Sequence, residues 1–428
     1  MRFLGVLLFS ILNIQINSKC ISIDHMGAIS DNMKYSVALR NSDAIIKAFG
    51  LLNKIHDCVY VPKKTYYISS TYIYNVTNAN FIINGTIKVL DTIKRWPVGD
   101  DGKSLNILHF TYIDNFKISG IGTIDGQGYK WWWVAILSAT GKTVDNRPYM
   151  LTVESGTNFE FSGVKLMNAP KFHVRLLDLM NVHMHHFEID VDIASQRRIM
   201  SHVPTFPLNT DGIDPSVTNM HMHDFKIRCF DDAIAVKSCL SSGTYCKCAS
   251  NITIENGKVI NSVGLSIGSI KPKDDISCVD NVTFRNIEME KPFKGIYVKT
   301  NRGNSGHGSI TNILYENITI DAPVWWPIYI GPQQQKQPDG KGEGCMNYPL
   351  EDCPTEALVD IENITLRNIQ IKNSVNPYSG VIRCNETNPC KGFVFDNVNV
   401  DVIVKKNKGY ICENIEMKSY NSNPKPLC

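Results

Sequence analysis

Long apolar runs are nearly absent from this 428-residue sequence. The one candidate, Phe3 to Ile14, follows Arg2 and precedes the small-residue pair Asn17-Ser18, and it is too short to cross a bilayer. It reads as a secretory signal over residues 1–18, with a buried terminal strand or helix as the competing reading. Charge of one sign is scarce as well: 44 Lys and Arg stand against 41 Asp and Glu, a formal net charge of +3. The basic field that gathers nucleic acid is therefore missing, while a polyanionic substrate stays compatible with the small positive excess. No linker or low-complexity tract interrupts the chain, so residues 19–428 read as one domain. Amphipathic helices are almost missing too, which disfavours a helix-crossed parallel sheet. The exception is Asn41-Ser42-Asp43-Ala44-Ile45-Ile46-Lys47-Ala48-Phe49, with a capping residue and helical apolar spacing; it is the only convincing helix, placed to cover the open end of the strand-rich remainder of the chain.

Cysteine, in contrast, is plentiful. Thirteen cysteines agree with an oxidising, extracellular compartment, and an odd count leaves at least one thiol unpaired. Close spacing in Cys239/Cys246/Cys248, Cys345/Cys353, Cys384/Cys390 and Cys412/Cys428 points to short local bridges, with connectivity left open. Cys246-Lys247-Cys248 lacks the second half of a zinc motif. Seven N-x-S/T sequons begin at Asn75, Asn84, Asn251, Asn281, Asn317, Asn363 and Asn385. Several fall inside a repeated Asn-hydrophobic-Thr-hydrophobic pattern, where the Asn has a turn to make as well as a sugar to carry.

That pattern sets the fold class. From about residue 75 onward, short runs of hydrophobic alternation are broken by Asn or Gly. Examples are Asn251-Ile252-Thr253-Ile254-Glu255-Asn256, Asn281-Val282-Thr283-Phe284-Arg285-Asn286 and Asn363-Ile364-Thr365-Leu366-Arg367-Asn368. Asn and Gly tolerate the φ of a sharp corner. Such strands cannot bury an apolar face alone, but stacking rung on rung makes a continuous core. The expectation is an all-β, right-handed parallel β-helix with a short N-terminal capping helix; an antiparallel sandwich or propeller is the alternative.

On such a solenoid, residues about one rung apart become neighbours, with rungs about 4.8 Å apart. Asp211, in Asn209-Thr210-Asp211-Gly212, precedes Asp231-Asp232 by twenty residues, so the three should share one wall. Carboxylates this close push at least one pKa upward and set a proton donor beside ionised acceptors. An acid for a leaving oxygen and a base for water are what glycosidic cleavage requires. Two bland readings compete: Asp-Asp pairs also occur at Asp100-Asp101 and Asp274-Asp275 in what read as solvated loops, and clustered Asp can hold calcium. Successive strand residues point to opposite faces, so Asp231 and Asp232 can share a cleft only if a bulge or turn intervenes.

Asn209-Thr210-Asp211-Gly212, Asp231-Asp232, Gly264-Leu265-Ser266-Ile267-Gly268-Ser269 and Gly295-Ile296-Tyr297-Val298-Lys299-Thr300 stand in the order of the signatures of glycoside hydrolase family 28. Upstream, Val61-Pro62-Lys63-Lys64-Thr65-Tyr66 and Gly122–Gly128 with Trp131-Trp132 are similar to that family's early landmarks. The chain therefore resembles the polygalacturonases along most of its length. The resemblance implies hydrolysis of α-1,4 galacturonosyl links in pectic polysaccharide with inversion, without cofactor or metal. It implies Asp231 as the general acid, and Asp211 and Asp232 as the residues that hold and deprotonate water, with room of about 6.5–9.5 Å between acid and base. It also implies that Asn209 and Lys299 contact substrate.

Lys237 shares the side of Asp231 by alternation and is a further candidate for a substrate carboxylate. An exposed strand-end lysine is its other reading. The chain departs from the family pattern twice: Val263 stands where histidine is usual, and Tyr297 where arginine is usual. Tyr297 cannot make arginine's bidentate clamp, so a substituted pectin, rhamnogalacturonan or a non-catalytic binding role stays open. His183-Met184-His185-His186 and His221-Met222-His223 set alternate imidazoles on one face, but outward polar positions on surface rungs explain them without metal. Trp325-Trp326, Tyr329 and Gln333–Gln335 fit either sugar stacking or packing on the wall. Nothing suggests a membrane or a partner subunit, so a secreted monomer is the expectation.

Overall fold

Asparagine corners organise the molecule. In the computed structural model, which describes residues 20–52, 58–141, 143–199, 205–275, 277–336, 344 and 348–428, Asn158, Asn181, Asn219, Asn251 and Asn281 all take φ between 52° and 62°. Each bends its strand at the same place in successive coils. Their side chains stack into a ladder, Asn181 donating to Asn158 at 3.1 Å, Asn219 to Asn181 at 3.3 Å, Asn251 to Asn219 at 3.1 Å and Asn281 to Asn251 at 2.8 Å. A second ladder runs through Asn256, Asn286, Asn317, Asn368 and Asn397 at 3.0–3.2 Å. The sequon residues Asn251, Asn281 and Asn317 thus serve the turns, and Asn363 does so through a 3.2 Å bond to Asn312.

Between corners the strands pair only in parallel, and among the described residues 23 of them form one sheet wound on itself, a parallel β-helix. Side chains inside the coil stack in columns; Phe284 lies over Tyr315 with centroids 4.9 Å apart, and one core runs from Ile23 to Val400. Each such aromatic pair adds about 0.5–1.5 kcal/mol beyond area burial.

The capping helix α1 covers Tyr35–Gly50, starting six residues before the expected Asn41. Asn41 is no cap: its buried side chain bonds the Ile29 and Tyr67 backbones. Phe49 closes the coil's end against Phe81 and Phe110, at 5.4 and 5.6 Å. Two further helices correct the expectation of one: α2, Trp131–Ala139, and α3, Ile193–Ile199. The first is apolar almost all round and the second is too short to show a period.

Cys239–Cys246, Cys384–Cys390 and Cys412–Cys428 are local bridges as expected, whereas Cys20–Cys58 and Cys248–Cys278 join more distant positions. Among the described residues, buried Cys229 is the free thiol. Cys345 and the signal at residues 1–18 lie outside the described residues.

Candidate active site

One wall of the coil is built from the starts of Val174–Asp190 and Ile213–Arg228, then Asp232–Val236, Gly264–Ile270 and Ile296–Thr300. Val174 pairs with Ile213, Ile213 with Ile234, Ile234 with Leu265, and Leu265 with Ile296. The turn expected between the two aspartates is there, since Asp231 lies in a bend and the strand opens only at Asp232. A bulge follows it, because Asp232 pairs with Gly264 but Ile234 with Leu265, leaving Ala233 as the extra residue. Coils approach so closely here that a Cβ on Gly212 would lie 2.3 Å from the Ala233 carbonyl, and one on Gly264 2.3 Å from that of Gly295. That explains the glycine in two of the signatures.

With Asp231 in the bend and Asp232 opening the strand, the three aspartates meet, one carboxylate oxygen of each within 4.8 Å of the others. This is tighter than the 6.5–9.5 Å expected from the sequence. Asp232, 1% exposed, accepts from Lys299 Nζ at 2.5 Å and Ser266 Oγ at 2.6 Å. Burial alone would raise its pKa, but Lys299, Lys237 and Ser266 outweigh it and hold it below the ordinary value. Asp231 and Asp211 go the other way: burial raises both, Asp232 adds to the effect on Asp231, and Asp231, Asp214 and Asp232 add to it on Asp211. Two carboxyls displaced toward holding a proton therefore sit beside one displaced toward ionisation on a single wall. Asp100, Asp101, Asp274 and Asp275 are exposed loop residues, as expected.

Asn209 bends the chain at φ 55° and donates its backbone N–H to Asp231 Oδ2 at 3.1 Å. Its Oδ1 accepts from Arg147 at 2.9 Å, so its polar groups are engaged with the protein. Lys299 is turned onto Asp232. Lys237 faces the site, donating to the Gly268 carbonyl at 2.8 Å and standing 3.5 Å from Asp214, so it is not a free strand-end lysine. The Tyr297 hydroxyl donates to Gln335 at 2.8 Å, and its ring is 1% exposed.

Three contributors were not foreseen. Buried His173 donates Nδ1–H to the Asp211 carbonyl at 2.9 Å, and burial pulls its pKa down to about 4, so it is a neutral anchor. Buried Arg147 bonds Asp145 through Nε at 2.7 Å and the Leu208 carbonyl at 2.5 Å, bracing the loop that ends in Asn209 and Asp211. Asp214, whose pKa burial raises to about 6, lies on the Asp232 side facing Lys237. Arg147 and His173 carry no sequence motif, because their roles arise from coil stacking.

Asp231 and Lys299 stand between two unlike hollows. One, about 330 Å³, is lined by Lys171, Arg175, Asp214 and Lys237; the other, about 800 Å³, by Phe206, Phe230, Val263, Phe293, Tyr297 and Trp325. Lys294 borders the second, yet its Nζ is sealed behind the rings of Tyr297, Tyr329 and Trp325 at 3.6, 4.4 and 4.7 Å. Of the other aromatics, Trp326 and Tyr329 pack in a small cluster with Tyr297 and Tyr348.

Solenoid and site together define a glycoside hydrolase built on a β-helix. The chain belongs to the glycosyl hydrolases family 28, whose model it matches over residues 55–422. It is 27% identical to polygalacturonase QRT2 of Arabidopsis thaliana over 395 residues, covering 91% of this chain and 81% of that protein. It is also 27% identical to a polygalacturonase of Juniperus ashei, covering 95% and 73%. Among solved structures, the polygalacturonase of Erwinia carotovora ssp. carotovora superposes with a TM-score of 0.70 at 21% identity, covering 94% of this chain and 96% of that one. The endo-xylogalacturonan hydrolase of Aspergillus tubingensis gives 0.69 at 18%, covering 94% and 99%. These two likenesses concern the fold.

Proposed function

We propose that this protein is a secreted hydrolase of α-1,4 galacturonosyl links in pectic polysaccharide, working by inversion with Asp231 as general acid and Asp232 as base. Residues 1–18 serve as the signal and residues 19–428 act as a single monomeric β-helix without cofactor. The observation that carries it is the meeting of the three aspartates on one wall, oxygens within 4.8 Å, with Asp231 displaced upward and Asp232 downward in pKa. Asp211 helps to hold the water.

The short separation fits inversion if the carboxylates lie side by side beneath the bond. The attacking water stands about 3–3.5 Å from the anomeric carbon, and the leaving oxygen one bond beyond it, so the two oxygens are about 4.5–5 Å apart. Two parallel carboxylates need match only that spacing; the wider 6.5–9.5 Å belongs to groups facing each other across the ring. Lys171, Arg175 and Lys237 offer charge-assisted hydrogen bonds to substrate carboxylates. Proton NMR of early products from polygalacturonate tests the reading. A β-anomer formed first supports it, an α-anomer first overturns the inverting mechanism, and no product from polygalacturonate or from partly esterified pectin overturns the hydrolase.

A second reading concerns which pectin. Val263 and Tyr297 leave the larger hollow with mostly aromatic walls; of its lysines, Lys299 is buried and held by Asp232, Lys294 is sealed behind rings, and Lys336 alone is exposed. This favours a substrate with a free uronate on one side of the bond and a neutral, substituted unit on the other. Partly methyl-esterified pectin should then be cleaved faster than polygalacturonate, and Tyr297→Arg should reverse the order. Unchanged preference in that variant would overturn this reading. Binding without turnover on any of these substrates would instead support a non-catalytic role, which the intact aspartate arrangement argues against.

A further inference from the structure

On another wall, past the corners at Asp178, Asn181 and Asn219, two adjacent coils present a block of imidazoles. His183 pairs in register with His221 and His185 with His223, while Met184 and Met222 between them point into the core. The geometry points to a site for one divalent transition-metal ion of the zinc or copper type, held by His183, His221 and His223 and clipping the two coils together. One ring nitrogen of each residue lies within 4.8 Å of the others. Tetrahedral zinc with bonds of 2.0–2.1 Å wants nitrogens about 3.4 Å apart, so small ring rotations complete the site.

The partners on the far side of the rings fix which nitrogens are available. His223 Nδ1 stands 2.7 Å from Asp224 Oδ2, and a carboxylate only accepts, so Nδ1 carries the proton and Nε2 is bare. His221 Nε2 stands 2.7 Å from Glu255, which leaves its Nδ1 bare. His183 Nε2 lies 2.9 Å from His223 Nε2, so one proton sits between two nitrogens that both aim at the same point. An ion there displaces that proton and binds both. A carboxylate orienting the opposite nitrogen of a ligating histidine is the usual outer support of such sites. Arg285, 2.6 Å from Glu255, fixes the support in turn.

Imidazole donors select zinc, copper or nickel over calcium or magnesium. His221, 48% exposed, leaves a side open for water. A competing trio, His186, His223 and Asp224, shares His223 but would consume the carboxylate that orients it.

Titrating zinc chloride into the full chain by calorimetry tests the proposal. One ion should bind per chain and raise the melting temperature. The double variant His183→Gln with His223→Gln should bind at least tenfold more weakly and lose the thermal shift, and Asp224→Asn should weaken binding about tenfold. Binding that persists undiminished in the double variant would overturn the site and place the ion elsewhere, for instance at the aspartates. The wild type supplies a check that needs no variant: electron paramagnetic resonance with one equivalent of copper(II) should show nitrogen hyperfine structure, and a purely oxygen-ligated signal, or no binding, would overturn it.

Discussion

Replacing Asp145 by Asn should loosen the loop that carries Asn209 and Asp211. The Asp145 side chain is 1% exposed and meets Arg147 at 2.7 Å and Lys171 at 3.1 Å. Burial works to raise its pKa, but the two cations overcome this and hold it at about 2. Against an unfolded value of about 3.9, that difference is worth about 2.5 kcal/mol at neutral pH. The variant also strands a buried guanidinium, so the loss should lie between about 2.5 and 5 kcal/mol. A depressed carboxylate stabilises above its unfolded pKa, and that contribution is lost as pH falls through about 2. At pH 2 only about 0.4 kcal/mol of the linkage part remains. Urea unfolding followed by tryptophan fluorescence at pH 6 and pH 2 should therefore show a wide gap between wild type and variant that nearly closes in acid. A loss below about 0.5 kcal/mol at pH 6, or the same loss at both pH values, would refute the reasoning. Turnover should fall too, because Arg147 would no longer hold the Asn209 side chain against Asp231.

Lys299→Met should raise the acid limb of the kcat/KM profile, since Asp232 loses the ammonium that keeps it ionised; an unmoved limb would show that another group sets it. The alkaline limb should lie above the ordinary aspartate range, because Asp231 keeps its proton, and pH–rate measurement on a pectic oligosaccharide checks both limbs. Asn281→Ala should cost about 2 kcal/mol in denaturation, combining the left-handed backbone at φ 52° with a broken ladder, whereas Asn281→Gly should cost less.

The coil was legible because Asn-bounded alternation is periodic and each copy restates the same corner, and the turn at Asp231 because two consecutive strand residues cannot otherwise share a face. Asp211 and Asp231-Asp232 could be brought together on that count alone. The two added helices had too little amphipathic contrast or length to be seen. Arg147 and His173 were invisible for another reason: they act across coils 62 and 38 residues from their partners Asn209 and Asp211, a separation that no local pattern encodes. The acid–base spacing is shorter than expected because the expectation belongs to carboxylates that face each other, whereas Asp231 and Asp232 are consecutive residues at a bend. The histidines were seen as pairs on single strands; only register between coils makes them a block.

The most direct test of the aspartate assignment is release of reducing ends from pectic substrates by wild type and by Asp231→Asn, with circular dichroism confirming that the variant is folded. Loss of the general acid should lower turnover about 10²–10⁴-fold while leaving oligogalacturonide binding in place. Undiminished activity in the variant, or none in the wild type on any pectic substrate, would contradict the account.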